Sequence, residues 1–300
     1  MDLDTERRIV TVPDGRKIDV LIAGPAGGLP LVLHEGTPVG LVLYPPTVRA
    51  AQARGLRVIL AARPGYEGST PRPGRRVVDV AGDTAAVLDE LGADTFVTIG
   101  WSGGGPHTLA CAAALPGRCL AAASVAGVAP YRAQGLDWLA GMGPENVDEF
   151  GAATAGEAVL TQFLDSAAAA LGTVTGADVA QALGGLVIAA DQAALTGAFA
   201  DYVAAALRAS MNTGIAGWRD DDLAFVQDWG FPLDPAPAAP VAIWQGDQDK
   251  MVPFAHGQWL AANIPGARAH LLPGEGHLSL TVSSLDRILD DLLDLAGQNP

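Results

Sequence analysis

The chain has 300 residues, of which 49% are hydrophobic and 17% are charged. This composition is typical of a globular protein and excludes a disordered one, and the length suffices for one large domain or a domain with an insertion. The formal net charge is -15, from 33 acidic and 18 basic residues. Because such a chain repels phosphate backbones and anionic lipids, we expect neither a nucleic-acid partner nor a membrane partner.

The cysteines argue against a disulfide scaffold and against a metal centre. Only Cys111 and Cys119 are present, and neither stands at a spacing typical of metal ligands. We therefore expect no cofactor and no metal. The N-terminal segment MDLDTERRIV is charged and lacks an apolar signal core, which favours a cytoplasmic location. Frequent Ala, Gly and Arg, with few lysines, suggest a bacterial genome of high GC content.

The first part of the chain alternates strand-like runs with helical patterns. Several runs are apolar without alternation, as expected of strands buried on both faces. The predicted strands are 7–12, 17–24, 29–35, 57–62, 95–100 and 120–127. The predicted helices between them are 46–54, 77–91 and 103–115. Strands that alternate with helices indicate an α/β protein with a mostly parallel sheet flanked by helices.

The pattern changes in the middle of the chain. Only helical segments and loops are predicted between about Tyr131 and Gly230. The alternation then returns, with strands at 239–246 and 267–274 and helices at 256–263 and 279–296. An all-helical insertion between two parts of one sheet indicates a cap over the carboxyl edge of that sheet.

These changes divide the chain into a core and a cap. The first part of the core is 1–130, the helical cap is 131–233, and the second part of the core is 234–300. The Pro/Ala-rich segment PLDPAPAAP, at 232–240, is the predicted linker from the cap back to the core.

The segment from Gly100 to Gly104 reads GWSGG and places Ser102 between a predicted strand and a predicted helix. This is the G-x-S-x-G pattern, in which a strained turn exposes a nucleophilic hydroxyl and small neighbours let the backbone come close. A glycine-rich turn with an incidental serine is the alternative. The strand before the turn and the helix-compatible run after it favour a nucleophile.

A serine nucleophile needs a base, and the base needs an acid that orients it. His277 lies in a glycine-rich loop after the last predicted strand, at the sheet edge where Ser102 is expected. Asp249 follows the strand at 239–246, and Asp247, two residues earlier, is the rival acid. The order Ser102, Asp249, His277 matches one known arrangement of such a triad.

Acyl transfer also needs donors for a developing oxyanion. The backbone N–H of Gly103, directly after the nucleophile, is one candidate. The second candidate is the N–H of Thr37, in the turn HEGTP after the strand at 29–35. Pro38 has no N–H and cannot serve. A plain Gly-Pro turn is the alternative for this segment.

Four motifs in this order resemble the α/β-hydrolase superfamily over nearly the whole chain. They are HEGTP at the oxyanion loop, RPGYEGST (63–70) at a glycine-rich turn, GWSGGG at the nucleophile elbow, and GDQDKMVP with GEGH at the acid and base loops. The resemblance implies an α/β-hydrolase fold with an eight-stranded, mostly parallel sheet and an inserted cap. It also implies that the acid is Asp249, four residues before Pro253, rather than Asp247.

The resemblance includes esterases, lactonases, cofactor-free haloperoxidases, carbon–carbon hydrolases and proline iminopeptidases. Haloalkane dehalogenases and epoxide hydrolases are similar but carry Asp at the nucleophile, where this chain has Ser102. One departure is Glu35, which separates His34 from Gly36 where many relatives have His-Gly. We expect the Glu35 side chain to point to solvent.

Aromatic residues in and near the cap suggest an apolar substrate pocket. The residues expected to contact substrate are His34, Trp101, Tyr131, Trp138 and Trp218. Packing within the cap is the alternative role for each cap residue. We therefore expect a hydrolase that cleaves a small, uncharged and largely apolar ester or lactone through an acyl-enzyme.

Two other functions stay open. A proline iminopeptidase-like aminopeptidase would need a cap carboxylate for the substrate amine, and Glu145, Glu149 and Glu157 are available with nothing to select one. A non-catalytic ligand-binding protein of the same fold is the second alternative. The expected partner is a small-molecule substrate, and a homodimer is one possible assembly.

Overall fold

The computed structural model describes residues 4–234 and 237–298, with an eight-stranded sheet at its centre. The strands are β1 (Thr5–Thr11), β2 (Lys17–Ala23), β3 (Leu29–His34), β4 (Leu56–Ala61), β5 (Phe96–Trp101), β6 (Cys119–Val125), β7 (Val241–Gly246) and β8 (Arg268–Leu272). Their spatial order is β1-β2-β4-β3-β5-β6-β7-β8. The pairs β1–β2 and β2–β4 are antiparallel and the other five are parallel, which confirms the predicted sheet.

Helices flank this sheet and also fill the stretch between β6 and β7. They are α1 (Pro45–Gln52), α2 (Asp79–Glu90), α3 (Gly104–Ala114), α4 (Pro144–Ala155), α5 (Glu157–Leu171), α6 (Val179–Ala182), α7 (Ala189–Ala194), α8 (Gly197–Ser210), α9 (Ala216–Phe225), α10 (Phe254–Asn263) and α11 (His277–Leu295). The central strands are buried because helices cover them. Leu31 in β3 and Val97 in β5 are both 0% exposed, as expected of parallel strands with two covered faces.

The inserted helices, α4 to α9, are continuous with the core. Leu160 and Leu164 of α5 are fully buried in the same apolar cluster as the sheet. A second cluster joins Phe199 and Val203 of α8 to Leu278 at the start of α11. The insertion is therefore held to the sheet by buried apolar contacts, which contribute roughly 1.5–3 kcal/mol for each large side chain.

Some of the predicted segments reach beyond the described residues. Residues 1–3 and 299–300 of the expected core, and residues 235–236 of the expected linker, lie outside them. In the described part of the chain, none of the helices combines the length and the apolar composition that crossing a bilayer requires.

Candidate active site

A sharp turn between β5 and α3 carries Ser102. Its backbone φ is 55°, in the left-handed region that residues other than glycine rarely adopt, so the turn is strained. Its N–H donates to the Val125 carbonyl at 2.9 Å and ties the turn to β6. A Cβ at Gly104 would overlap the carbonyl oxygen of His34, and one at Gly100 would overlap that of Gly104. Glycine is needed at both positions because the neighbouring backbone comes too close to leave room for a side chain.

The loop after β7 carries Asp249, and His277 is the first residue of α11. Nδ1 of His277 lies 2.8 Å from Oδ2 of Asp249, and both residues are buried. Oδ1 of Asp249 accepts two backbone N–H groups of its own loop, each at 2.8 Å, which fixes the carboxylate. The rival acid, Asp247, instead accepts the backbone N–H of Gly274 at 2.8 Å. Of the two candidate acids, Asp249 is therefore the one that contacts the imidazole of His277.

A buried carboxylate from the inserted helices holds the start of α11. Asp191, in α7, is 0% exposed. It accepts three successive backbone N–H groups, those of Leu278 at 2.8 Å, Ser279 at 2.9 Å and His277 at 3.3 Å. These donors have no partner inside the helix, so the carboxylate caps it. For this reason α11 begins at His277, two residues before the predicted start at 279.

Ser102 and His277 border one cavity, named here the main cavity, which has a volume of about 360 Å³. Trp101 and Trp218, two of the expected substrate-binding residues, also line it. The indole ring of Trp101 packs 5.3 Å from the imidazole of His277, centroid to centroid. Most of the remaining wall is apolar and includes Val39, Phe163, Leu171, Leu186, Val203 and Met251. The cavity lies between the sheet and the inserted helices.

The two expected oxyanion donors lie next to each other beside the nucleophile. A Cβ built on Gly103 would stand 2.5 Å from Oγ1 of Thr37, and both residues line a small pocket together with Ser102. Within the described ranges, neither backbone N–H donates a hydrogen bond to a protein acceptor. Gly103 stands directly before α3, so its N–H is one of the unpaired donors at a helix start.

A family model described as "alpha/beta hydrolase fold" matches residues 30–283. The chain belongs to this family. A curated non-heme chloroperoxidase of Streptomyces lividans is 35% identical over 148 residues, which are 49% of this chain and 54% of that protein. The match thus spans about half the length of either protein.

Solved structures of other α/β-hydrolases align over nearly the whole chain. Epoxide hydrolase A of Mycobacterium thermoresistibile is 21% identical with a TM-score of 0.68, covering 97% of this chain and 98% of that one. The esterase RhEst1 of Rhodococcus sp. ECU1013 is 22% identical with a TM-score of 0.65, covering 96% and 99%. At these identities the likeness establishes the fold and leaves the reaction open.

Three of the five residues of this α/β-hydrolase that were expected to contact substrate, His34, Tyr131 and Trp138, do not line the cavity that holds Ser102. Trp138 is 4% exposed, donates its indole N–H to the Ala129 carbonyl at 2.7 Å, and packs edge-on against Phe150. Tyr131 packs against Trp138, with 5.3 Å between ring centroids. The prediction for Tyr131 and Trp138 is corrected, because both side chains are used in packing.

His34 and Glu35 border a second, smaller cavity of about 90 Å³, named here the side cavity. Burial, helped by the charge of Arg63, lowers the pKa of His34 to about 3, so its ring is neutral. Nε2 of His34 lies 3.5 Å from the sulfur of Cys111. Glu35 does not point to open solvent as expected. Burial raises the pKa of its carboxyl to about 7, and the Tyr202 hydroxyl is its hydrogen-bond partner.

A buried ion cluster supports the oxyanion loop and was missed by the sequence analysis. Arg63 donates to the backbone carbonyls of Glu35 at 2.6 Å and Gly36 at 2.8 Å, and pairs with Asp221 of α9 at 2.6 Å. Arg75 pairs with the same carboxylate at 2.7 Å. Although burial opposes ionisation, the two guanidinium groups hold the pKa of Asp221 well below its usual range. The position of Arg63 directly after an apolar strand could have indicated its role. The sequence around Asp221 contains no comparable indication.

A pair of acids lies close to Ser102. Glu149 and Asp222 line the small pocket that holds Ser102, Gly103 and Thr37. Burial and the neighbouring carboxyl raise the pKa of Asp222 well above its ordinary value, and burial raises that of Glu149. The two carboxyl groups are hydrogen-bond partners of each other, which requires a proton on one of them. The pair therefore holds a proton close to the nucleophile.

Proposed function

We propose that the protein is a serine hydrolase that cleaves a small, largely apolar ester or lactone through an acyl-enzyme intermediate. The observation that carries the proposal is the convergence of three groups from distant parts of the chain. Ser102 and His277 border one cavity, and Asp249 lies 2.8 Å from His277. A serine hydroxyl is a weak nucleophile until a neighbouring base takes its proton, and an oriented imidazole supplies that base.

The proposed reaction starts with proton transfer to the imidazole. Because the Asp249 carboxylate only accepts hydrogen bonds, Nδ1 of His277 carries the hydrogen and Nε2 is left as the base. Nε2 takes the hydroxyl proton while Oγ of Ser102 bonds to the substrate carbonyl carbon. The ester C–O bond then breaks, and His277 returns the proton to the leaving oxygen. Water repeats both steps on the acyl-enzyme and releases the acid.

The oxyanion of each tetrahedral intermediate would accept the N–H groups of Gly103 and Thr37. These donors contribute because their positions are set before reaction, and one such donor is worth roughly 3–4 kcal/mol in comparable enzymes. The bonds from Arg63 to the carbonyls of Glu35 and Gly36 support this role, since they hold the loop that carries Thr37.

The wall of the cavity supports an apolar substrate of limited size. Its volume of about 360 Å³ lies near the lower end of the range for small-molecule pockets. Apolar side chains of the inserted helices, such as Phe163 and Leu171, form much of that wall. A lactone fits the same chemistry, since its leaving oxygen stays attached to the acyl group.

The first experiment is labelling with a fluorophosphonate, followed by the mass of the intact protein after exposure to ester and lactone panels. We expect one adduct per chain on wild type and none on Ser102→Ala, with acylation by uncharged substrates. Equal labelling of Ser102→Ala would contradict the nucleophile. An unlabelled wild type would favour the non-catalytic ligand-binding alternative. A clear preference for charged acyl groups would contradict only the substrate class.

The acid pair favours a proline iminopeptidase-like aminopeptidase as a second candidate. Of the three cap glutamates considered, Glu145 and Glu149 line the main cavity, and only Glu149 also lines the pocket beside Gly103. A carboxylate there would hold a substrate amine next to the reacting carbonyl. Turnover of a proline anilide but not of short esters, lost in Glu149→Gln, would favour this candidate. Ester turnover without anilide turnover would reject it.

A further inference from the structure

The side cavity lies directly behind the main cavity. Trp101 and Tyr202 line both cavities and form the wall between them. The other side of the side cavity is formed by α1 and α11, where Val282 is 42% exposed and marks an opening to the surface. At about 90 Å³ the side cavity is far smaller than a pocket for a drug-sized ligand, so it suits a group of a few heavy atoms.

The side cavity contains one carboxyl group without an ion pair. In the part of the chain that the structure describes, Glu35 forms no salt bridge, and the nearby Arg63 gives its own ion pair to Asp221. Arg63 reaches only the backbone carbonyl of Glu35. Glu35 is half-buried, and a carboxylate withdrawn from water in this way is costly without a positive partner. His34, which also borders the cavity, is neutral and cannot be that partner.

Aromatic side chains surround the same space. Tyr44 packs 5.3 Å from Phe199 and 4.9 Å from Tyr202, centroid to centroid, and Trp101 lines the cavity with them. Aromatic faces attract cations, more strongly when water is excluded, and rings of this kind recognise methylated ammonium groups. The net charge of -15 also raises the local concentration of cations.

We propose that the side cavity binds a small organic ammonium ion, with the Glu35 carboxylate as its counter-ion and Tyr44, Trp101, Phe199 and Tyr202 as the aromatic surface around its methyl groups. The ligand class follows from the combination of one unpaired carboxylate, an aromatic wall and a volume of a few heavy atoms. This site is separate from ester cleavage, so it does not depend on the proposed function.

The ionisation of Glu35 gives the site a defined pH dependence. Its pKa is about 7 in the empty protein, because burial disfavours the carboxylate and the Arg63 charge only partly offsets this. An ammonium ion binds the ionised form, so its affinity rises with pH through 7 and binding releases a proton. The other titratable groups that face Glu35 are Tyr44, Tyr202 and His34, and none of them gains charge in this range.

The test is calorimetric titration of the full-length Ser102→Ala protein with choline and with its uncharged analogue 3,3-dimethyl-1-butanol. The Ser102→Ala protein keeps both cavities and removes turnover. We expect choline to bind about tenfold more tightly than the alcohol at pH 8, with the advantage reduced at pH 6. Titrations in buffers of different ionisation enthalpy should show proton release on binding.

Three further variants, each made in the Ser102→Ala background, locate the ligand. Glu35→Gln should remove the preference for choline, and Val282→Trp, at the mouth of the side cavity, should weaken both ligands. Glu149→Gln, the matched change in the main cavity, should leave choline binding unchanged. If Glu149→Gln abolishes choline binding and Glu35→Gln does not, the ammonium site belongs to the main cavity. Equal affinity for both ligands, or tighter choline binding at pH 6, would overturn the proposal.

Discussion

The sheet and the inserted helices contribute to the site in different ways. The sheet supplies the candidate catalytic groups, because Ser102, Asp249 and His277 each follow the carboxyl end of a strand. The inserted helices supply two buried carboxylates that hold parts of the core in place. Asp191 caps the helix that begins with His277, and Asp221 pairs with Arg63 beneath the oxyanion loop. The insertion therefore supports the candidate catalytic groups as well as covering the cavity.

The largest expected effect is on kcat, and it comes from substituting Asp249, which follows strand β7 of the sheet. Asp249→Asn should lower kcat on a reactive ester by roughly 10³–10⁴-fold, since an amide no longer fixes the tautomer of His277. Asp247→Asn is the matched control and should stay within a few-fold of wild type, because the Asp247 side chain bonds to Gly274 and Gln248 rather than to the imidazole of His277. Steady-state kinetics on purified variants measure both. The opposite ranking would move the acid to Asp247.

The next effect, on stability, tests how strongly the Asp221 carboxylate of α9 stabilises the buried arginines. Asp221→Asn leaves Arg63 and Arg75 buried without their carboxylate, so the free energy of unfolding should fall by about 3–5 kcal/mol. The adjacent Asp222→Asn should change it little or raise it, because the raised pKa of Asp222 means that this acid already holds a proton. Urea unfolding of both variants gives the comparison. Equal losses of unfolding free energy in the two variants would show that Asp221 stabilises the protein no more than its neighbour Asp222 does.

The cap on α11 should have an intermediate effect. Asp191→Ala removes the acceptor of three backbone N–H groups and should lower the free energy of unfolding by about 2–3 kcal/mol. It should also lower kcat more than it changes KM, since the imidazole of His277 loses its position. Asp191→Asn should restore most of kcat, because the one amide oxygen can still accept the two shorter bonds, from Leu278 and Ser279, which share a single oxygen in the carboxylate. A variant that loses stability but keeps kcat would reduce Asp191 to a structural role.

The smallest effect concerns the pH dependence of stability at Glu35. Its pKa is raised from 4.5 to about 7 on folding, so the protein loses stability as the pH rises through this interval. Glu35→Gln does not titrate. Its free energy of unfolding relative to wild type should therefore increase by about 1–2 kcal/mol between pH 4 and pH 8, after allowance for partial exposure. A constant difference across this range would show that folding does not raise the pKa of Glu35.

Much of the fold and of the candidate site could be predicted from local sequence. The apolar runs without alternation predicted the parallel strands, and the glycines around Ser102 predicted the tight turn that the structure contains. The aromatic residues of the insertion were harder to assign. Trp138, in the turns before α4, packs inside the protein, while Trp218, in α9, faces the cavity, and the local sequence around each does not tell these two environments apart.

The sequence by itself determined the order of strands and helices, the strained serine turn, the loop that carries Asp249, and the position of His277 after the last strand. Each of these depends on residues within a few positions of one another. Only the tertiary structure decided that Asp191 caps α11, that Asp221 pairs with Arg63, and that Glu35 is enclosed by Tyr202. The reason is physical: the charge state and hydrogen bonding of a buried group depend on neighbours brought close by folding, here across 86 to 167 positions of the chain.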